Sequence, residues 1–392
     1  MNARTRFLIV GMLVSGVCNT LLNKLQDMQC VENCDDKDPS KREYFEQPVW
    51  QTLNMFIGET LCFIAIYIQM ILDSYKEEKD VDRPLAVERT STDDSIELED
   101  EYVPRQEELS GWKIFLFWIP TLCDICGTTL MNVGLIYTSA SVYQMLRGAV
   151  VLFTGSFSVI FLKRRLLPYH WFSLFLVVLG VTVVGLSSVL FPPLRPAEDD
   201  VLTTGAPFAL IGVIFVLFAQ VFTASQFVIE EKLVEKYNVS PLRAVGLEGI
   251  FGLTTITFGT IIFYYMYGIH HPGGYFDIPA GWNQIISFPQ IWRAGIAICF
   301  SIAFFNYFGL AVTRTVSATA RSTIDTSRIV FVWMVSLLLG WEIFSWLQVL
   351  GFVILVTGTF IFNNVIDPPS CLSEGRAEER RPLIRRTSED ML

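Results

Sequence analysis

Ser139–Arg165, SASVYQMLRGAVVLFTGSFSVIFLKRR, decides the fold. It reads as one membrane-spanning helix, apolar for most of its length, long enough for a hydrocarbon layer of ~30 Å and closed by Lys163-Arg164-Arg165. Arg147 lies inside it, where an ionisable group costs about 3 kcal/mol or more. Ser141, Gln144, Gly148 and Gly155 recur beside Arg147 at helical spacing and give the rod one narrow polar face. That face is expected to look into protein rather than lipid.

The rest of the chain has the same character. It has 392 residues, of which 52% are hydrophobic, and a mean hydropathy of +0.44, without the polar-faced layers of a soluble protein of this length. Ten apolar runs of roughly 20 residues are predicted as spans: 6–25, 48–72, 111–137, 139–163, 168–191, 205–229, 241–267, 292–314, 316–339 and 344–364. The fold class is therefore all-α membrane. The first span lacks a small-residue cleavage site and carries Asn19, Asn23 and Lys24 in its far half, which suits a retained helix. Residues 73–110 hold fourteen acidic residues against five basic ones and supply most of the net charge of −10. With so few apolar residues this stretch is expected to be a disordered, solvated linker.

Lysine and arginine placement orients the chain. Arg4, Arg6, the linker's basic residues, Lys163-Arg164-Arg165, Lys232, Lys236, Arg314 and the tail arginines fall on one side, and few basic residues fall on the other. Both termini are therefore expected in the cytosol. Cys30 and Cys34 share the first loop on the opposite, oxidising side, where they are read either as a disulfide or as two free thiols.

The design of the opening stretch returns later. When residue i is set beside residue i+178, Ser139-Ala140-Ser141 falls on Ser317-Ala318-Thr319 and Gly180 on Gly358. Two five-helix units follow, residues 1–191 and 205–364, with a tail at 365–392. An odd helix count per unit inverts the second, so a ten-helix inverted 5+5 repeat is expected, with a solute site between the halves.

The candidate cavity charges are Arg147, then Arg321, Asp325 and Arg328 at i, i+4 and i+7 on one helix face, with Glu59, Asp124 and Glu248 on other spans. Gln144 and Asn306 are the polar candidates beside them. Asp325 is expected to pair with either neighbouring arginine, leaving its helix with one surplus positive charge. The arginines suit phosphate or carboxylate, and Glu59, Asp124 and Glu248 are candidates for proton coupling. The seven charges nearly cancel, so their sum does not choose between anionic and cationic cargo. Glu230-Glu231-Lys232 at the end of the sixth span is expected to be solvated at the membrane boundary. His170, His270 and His271 lie at interfaces or in loops, and no embedded nucleophile–base arrangement is visible, so the chain is not expected to be an enzyme. No metal and no cofactor is expected.

TSASVYQMLRGAVVLFTGSFSVIFLKRRL, LCDICGTTLMNVGL, EEKLVEKYNVSPLRAVGLEGIFG and SIAFFNYFGLAVTRTVSATARSTIDTSR resemble the solute carrier 35 branch of the drug/metabolite transporter superfamily, and its F subgroup in particular. The chain is also similar to chloroquine-resistance-type vacuolar transporters. The resemblance implies the drug/metabolite transporter fold and secondary transport, nucleotide sugars being the best-known cargo of other branches. In the tail, Glu379 stands four residues before Leu383-Ile384, which looks like a dileucine signal read by clathrin adaptors. A lysosomal or late endosomal membrane is therefore expected, with the Golgi or another endomembrane as the alternative. Asn238-Val239-Ser240 matches a glycosylation sequon but falls on the cytosolic side of this topology. The reading is a secondary transporter of a small polar organic solute, and the alternative is a non-transporting scaffold that uses the acidic linker as its contact. The expected partners are the solute, the bilayer, adaptors at the tail and a second copy of the chain, not nucleic acid.

Overall fold

A computed structural model describes residues 3–34, 42–81 except 46, 109–163 except 139, 167–190, 206–340 except 273 and 275, 345–362 and 366. Most of the acidic linker and the tail with Glu379, Leu383 and Ile384 lie outside the described residues, as does the Arg164-Arg165 pair. In order, the helices are α1 (Ala3–Asp27), α2 (Pro48–Val81), a 3₁₀ turn (Gly111–Phe117) leading into α3 (Trp118–Tyr137), α4 (Ala140–Leu146), a 3₁₀ turn (Arg147–Ala149), α5 (Val150–Leu162), α6 (Pro168–Leu190), α7 (Ala206–Tyr237), α8 (Pro241–Met266), α9 (Ile278–Ser287), α10 (Pro289–Thr315), α11 (Ala318–Leu338) and α12 (Trp346–Phe362).

Among the described residues, eight helical segments are long and apolar enough to cross a membrane, and Trp346–Phe362 is a shorter apolar helix. The protein is a multi-pass membrane protein. The 21-residue α11 stands apart from the eight because it carries Arg321, Asp325 and Arg328, and it buries all three.

Local chemistry sets the breaks. Proline opens α2, α6, α8 and α10, at the position where its missing N–H costs nothing. Ser240 caps α8 by accepting from Arg243 N at 3.3 Å, and Asp277 caps α9 by accepting from Ala280 N at 3.2 Å. Asn238 takes a left-handed conformation (φ 47°) in the turn between α7 and α8, and its side chain accepts a hydrogen bond from Arg314.

Two expectations change here. The helix at 139–163 is not continuous: Arg147–Ala149 is a 3₁₀ turn between α4 and α5. Gly148 fits there because a Cβ would lie 2.6 Å from Leu355 Cδ2 of α12, and such a turn re-aims the side chains that follow it. Helix α2 runs to Val81, so the first part of the acidic stretch is helical rather than loop. In the first loop Cys30–Glu32 (β1) pairs antiparallel with Glu43–Tyr44 (β2). Cys30 and Cys34 form a disulfide there, with Cα atoms 5.7 Å apart.

The helices pack most extensively as α6 with α12, α3 with α7, α1 with α10, and α2 with α8. The α6–α12 crossing is a backbone contact: a Cβ on Gly180 would stand 2.7 Å from Gly351 O and 2.6 Å from Leu355 N. Phe175, Phe258 and Phe304 point outward, each more than half exposed, as lipid-facing positions require. Where α7 ends and α8 begins, Phe117, Val234, Tyr237, Val239, Ala244 and Leu310 form an apolar plug.

Candidate functional site

Beneath that plug and between the helix pairs lies a cavity of about 330 Å³. It is lined by Gln144, Arg147, Asp124, Asn306, Arg321, Asp325 and Arg328, together with Asn19, Asn23, Lys24 and Asp27 of α1 and Pro48 and Gln51 of α2. The cavity therefore runs from the exposed end of α1, at Asp27, down to the first turn of α11, at Arg321.

The face described by Ser141, Gln144, Arg147, Gly148 and Gly155 divides into two. Gln144 and Arg147 look into the cavity. Gly148 and Gly155 instead admit neighbours, Leu355 and Thr326 for the first and Phe362 and Leu174 for the second. The Ser141 side chain lies outside the described residues.

On α11 the i, i+4, i+7 spacing sets three charges on one face, and Asp325 pairs with one of its two neighbouring arginines as expected, but the other arginine is not left as a surplus charge. Arg328 and Asp325 form an ion pair at 2.6 Å. Arg321 pairs instead with Glu230 of α7, and both are almost wholly enclosed (3% and 0% side-chain exposure). The boundary reading of Glu230-Glu231 is thereby corrected: both are buried, and Glu231 Oε2 accepts from Ala318 N at 2.9 Å. A carboxylate at the positive end of α11 is favourable, and with Glu230 present the surplus positive charge on α11 is cancelled.

Each α11 arginine is also seated on a glycine and stacked on a ring. A Cβ on Gly309 of α10 would lie 3.0 Å from Arg321 Nε, and a Cβ on Gly16 of α1 would lie 2.5 Å from Arg328 Cδ. Arg321 lies over Phe227 at 4.1 Å, and Arg328 lies over Phe305 at 4.8 Å. Arg328 also donates to Gly16 O and Thr20 Oγ1, both at 3.2 Å. Both guanidiniums are thus fixed in place rather than presented.

Glu59 and Glu248 are buried but do not line the cavity. They sit at the α2–α8 crossing, where Gly249 comes so close that a Cβ would meet Thr60 N at 2.5 Å. Asn306 connects this crossing to the cavity, since it lines the cavity and donates to Glu59 Oε1 at 2.5 Å. Asp124, the third carboxyl expected beside them, is a cavity residue that accepts from Thr128 Oγ1 at 3.5 Å. His271 stacks on Tyr267 at 3.8 Å in the loop after α8.

Sequence reasoning missed Glu230, Glu231, Phe227, Gly16 and Gly309. A signal for Glu230 was present: Thr223, Gln226 and Glu230 recur at i, i+3 and i+7 on an otherwise apolar helix, and the first two line the cavity.

A nucleotide-sugar transporter family model matches residues 88–363. The human protein named solute carrier family 35 member F6 is 37% identical over 98% of this chain and 95% of its own length. The Rattus norvegicus protein of that name is 38% identical over 94% and 91%. A Schizosaccharomyces pombe UDP-galactose transporter is 27% identical over 66% of this chain and 67% of its own.

Proposed function

The chain belongs to the nucleotide-sugar transporter family, within solute carrier family 35, a family of membrane transporters rather than enzymes, and on that premise we propose that it carries a small polar organic solute across an endomembrane by alternating access. The observation that carries this reading is the shape of the cavity. It opens where α1 ends, contains Arg147, Asp124 and the α11 charges at its depth, and is stopped at the other end by the Arg321–Glu230 pair and the plug around Phe117. A one-sided cavity of this kind is half of a transport cycle.

The packing supports two inverted halves. Taking α4 and α5 as one span and leaving α9 aside, the halves are α1, α2, α3, α4–α5, α6 and α7, α8, α10, α11, α12. Exchanging equivalent spans sends the α6–α12 and α2–α8 contacts onto themselves and the α3–α7 contact onto α10–α1. The four strongest pairings are thus unchanged by the exchange that a 5+5 repeat requires.

The Cys30–Cys34 disulfide supports a lumenal first loop, hence cytosolic termini. The Glu379/Leu383-Ile384 motif supports lysosomal or late endosomal delivery through adaptors. We assign cargo contacts to the cavity residues and proton binding to Glu59, which Asn306 links to the cavity, and to Glu248 at the same α2–α8 crossing. The test is uptake of mixed polar metabolites into proteoliposomes by the wild type, Arg147→Ala and Asp325→Asn, each shown to unfold cooperatively. Lower flux in the variants is expected. Equal fluxes in all three would leave the scaffold alternative standing.

A further inference from the structure

The cavity's charges divide into those already committed and those on offer. Arg321 is held by Glu230 and Phe227, and Arg328 by Asp325, Gly16 O and Thr20. At the mouth, Lys24 and Asp27 are opposite in sign. Arg147 is different. It is half-buried, lines the cavity, and among the described residues its side chain makes no hydrogen bond or ion pair. Asp124 accepts only the long Thr128 contact and joins no ion pair among the described residues. The two lie on different helices within electrostatic reach of one another, yet not in contact.

We infer that the cargo is a solute bearing one anionic and one cationic group and no net charge, its anion taken by Arg147 and its cation by Asp124. This rests on the transport reading above and narrows it. A guanidinium fork matches a carboxylate in two-point fashion, and a carboxylate matches an ammonium group. Each free charge in the cavity then meets its opposite, and the loaded site carries no net charge through the membrane interior, where uncompensated charge is costly. A nucleoside diphosphate sugar carries two negative charges and would need a cationic surplus. Glu230 and Asp325 remove that surplus by engaging the two α11 arginines. Volume agrees: about 330 Å³ is at the small end of ligand pockets, which span roughly 300–1,000 Å³.

The experiment uses full-length protein in proteoliposomes, with a radiolabelled mixture of neutral α-amino acids as one probe and radiolabelled UDP-galactose as the other. Saturable amino-acid uptake is expected, inhibited roughly ten- to hundredfold less well by the methyl esters or the N-acetyl derivatives, each of which loses one charged contact. Arg147→Gln is expected to stop distinguishing free acid from methyl ester, and Asp124→Asn to stop distinguishing free amine from N-acetyl derivative. Ligand-induced thermal stabilisation reads the same selectivity in a variant too slow to transport. Wild-type selectivity retained by both variants would overturn the assignment. UDP-galactose uptake without amino-acid uptake would overturn the cargo class while leaving transport standing. No flux of either probe, and no stabilisation by either, in cooperatively folded protein would overturn the cargo class, and the uptake of mixed polar metabolites then decides the transport reading separately.

Discussion

Arg328 crosses α1 at Gly16, with its Cδ where a side chain at position 16 would begin: an ideal Cβ there would be 2.5 Å away. The obstructing atom belongs to a side chain held at its far end by Asp325, Gly16 O and Thr20, so it has little freedom to withdraw. Gly16→Ala is expected to lower stability by about 1–3 kcal/mol, the usual cost of overpacking. Gly259→Ala is the control, since nothing lies within 4 Å of a Cβ there. Thermal unfolding of purified protein in detergent should separate the two, and equal midpoints would refute the seat.

Glu230 and Arg321 are each other's only ion-pair partners among the described residues, and neither reaches bulk water. Breaking a buried pair from one side costs about 3–5 kcal/mol, whereas replacing both partners by well-packed apolar groups is often neutral. Glu230→Met alone is therefore expected to destabilise strongly, and adding Arg321→Met to restore much of the loss. A double-mutant cycle on unfolding midpoints reads this. Losses that simply add would mean that the two residues act independently.

The same pair marks where sequence reasoning stopped. The embedded charges Arg147, Arg321, Asp325 and Arg328 were legible because each interrupts an apolar run, and the structure places all four on one cavity. Helical spacing also put Gln144 beside Arg147. Glu230 was not legible in that way, because an acidic pair followed by Lys232 at the end of an apolar helix has the same letters as a solvated boundary. Its helical register with Thr223 and Gln226 points inward, and the partner on α11 is what holds it there. The break at Arg147–Ala149 was hidden for a related reason: Gly148 packs against Leu355, more than two hundred residues away in sequence. Glu59 and Glu248 read as cavity charges from their depth alone, but the glycine contact at Gly249 closes the α2–α8 crossing around them.

Glu231 caps α11 from another helix. It accepts from Ala318 N at 2.9 Å, while Ser317 Oγ accepts from Ala320 N at 3.1 Å, so two N-terminal N–H groups of α11 are satisfied by different means. Ser317→Ala removes a local cap, worth about 0.5–2 kcal/mol. Glu231→Gln keeps an acceptor but removes the charge, at about 0.3–2 kcal/mol where the site is partly or fully buried. Because both act on one helix end, their combined loss is expected to depart from additivity. Hydrogen exchange localised to residues 318–322 should rise in each variant, and unchanged exchange there would dismiss the capping role.

Cys30 and Cys34 close a small ring at the start of β1, opposite Tyr44 of β2. Closing so short a ring restricts the unfolded chain by about 2 kcal/mol on the chain-entropy relation, and it requires an oxidising compartment. Protein taken from membranes with its thiols blocked, then denatured and mapped by mass spectrometry, should show Cys30 and Cys34 alkylated only after reduction. Cys18 and Cys126 are free and exposed and should alkylate beforehand, whereas the buried free thiols Cys62 and Cys299 should alkylate on denaturation without reduction. Because α1 and α2 enter and leave this loop, the measurement also orients the cavity, whose open end lies at the same end of α1. Alkylation of Cys30 and Cys34 before reduction would place the loop in a reducing compartment, and the cavity's opening would then face the cytosol rather than the lumen.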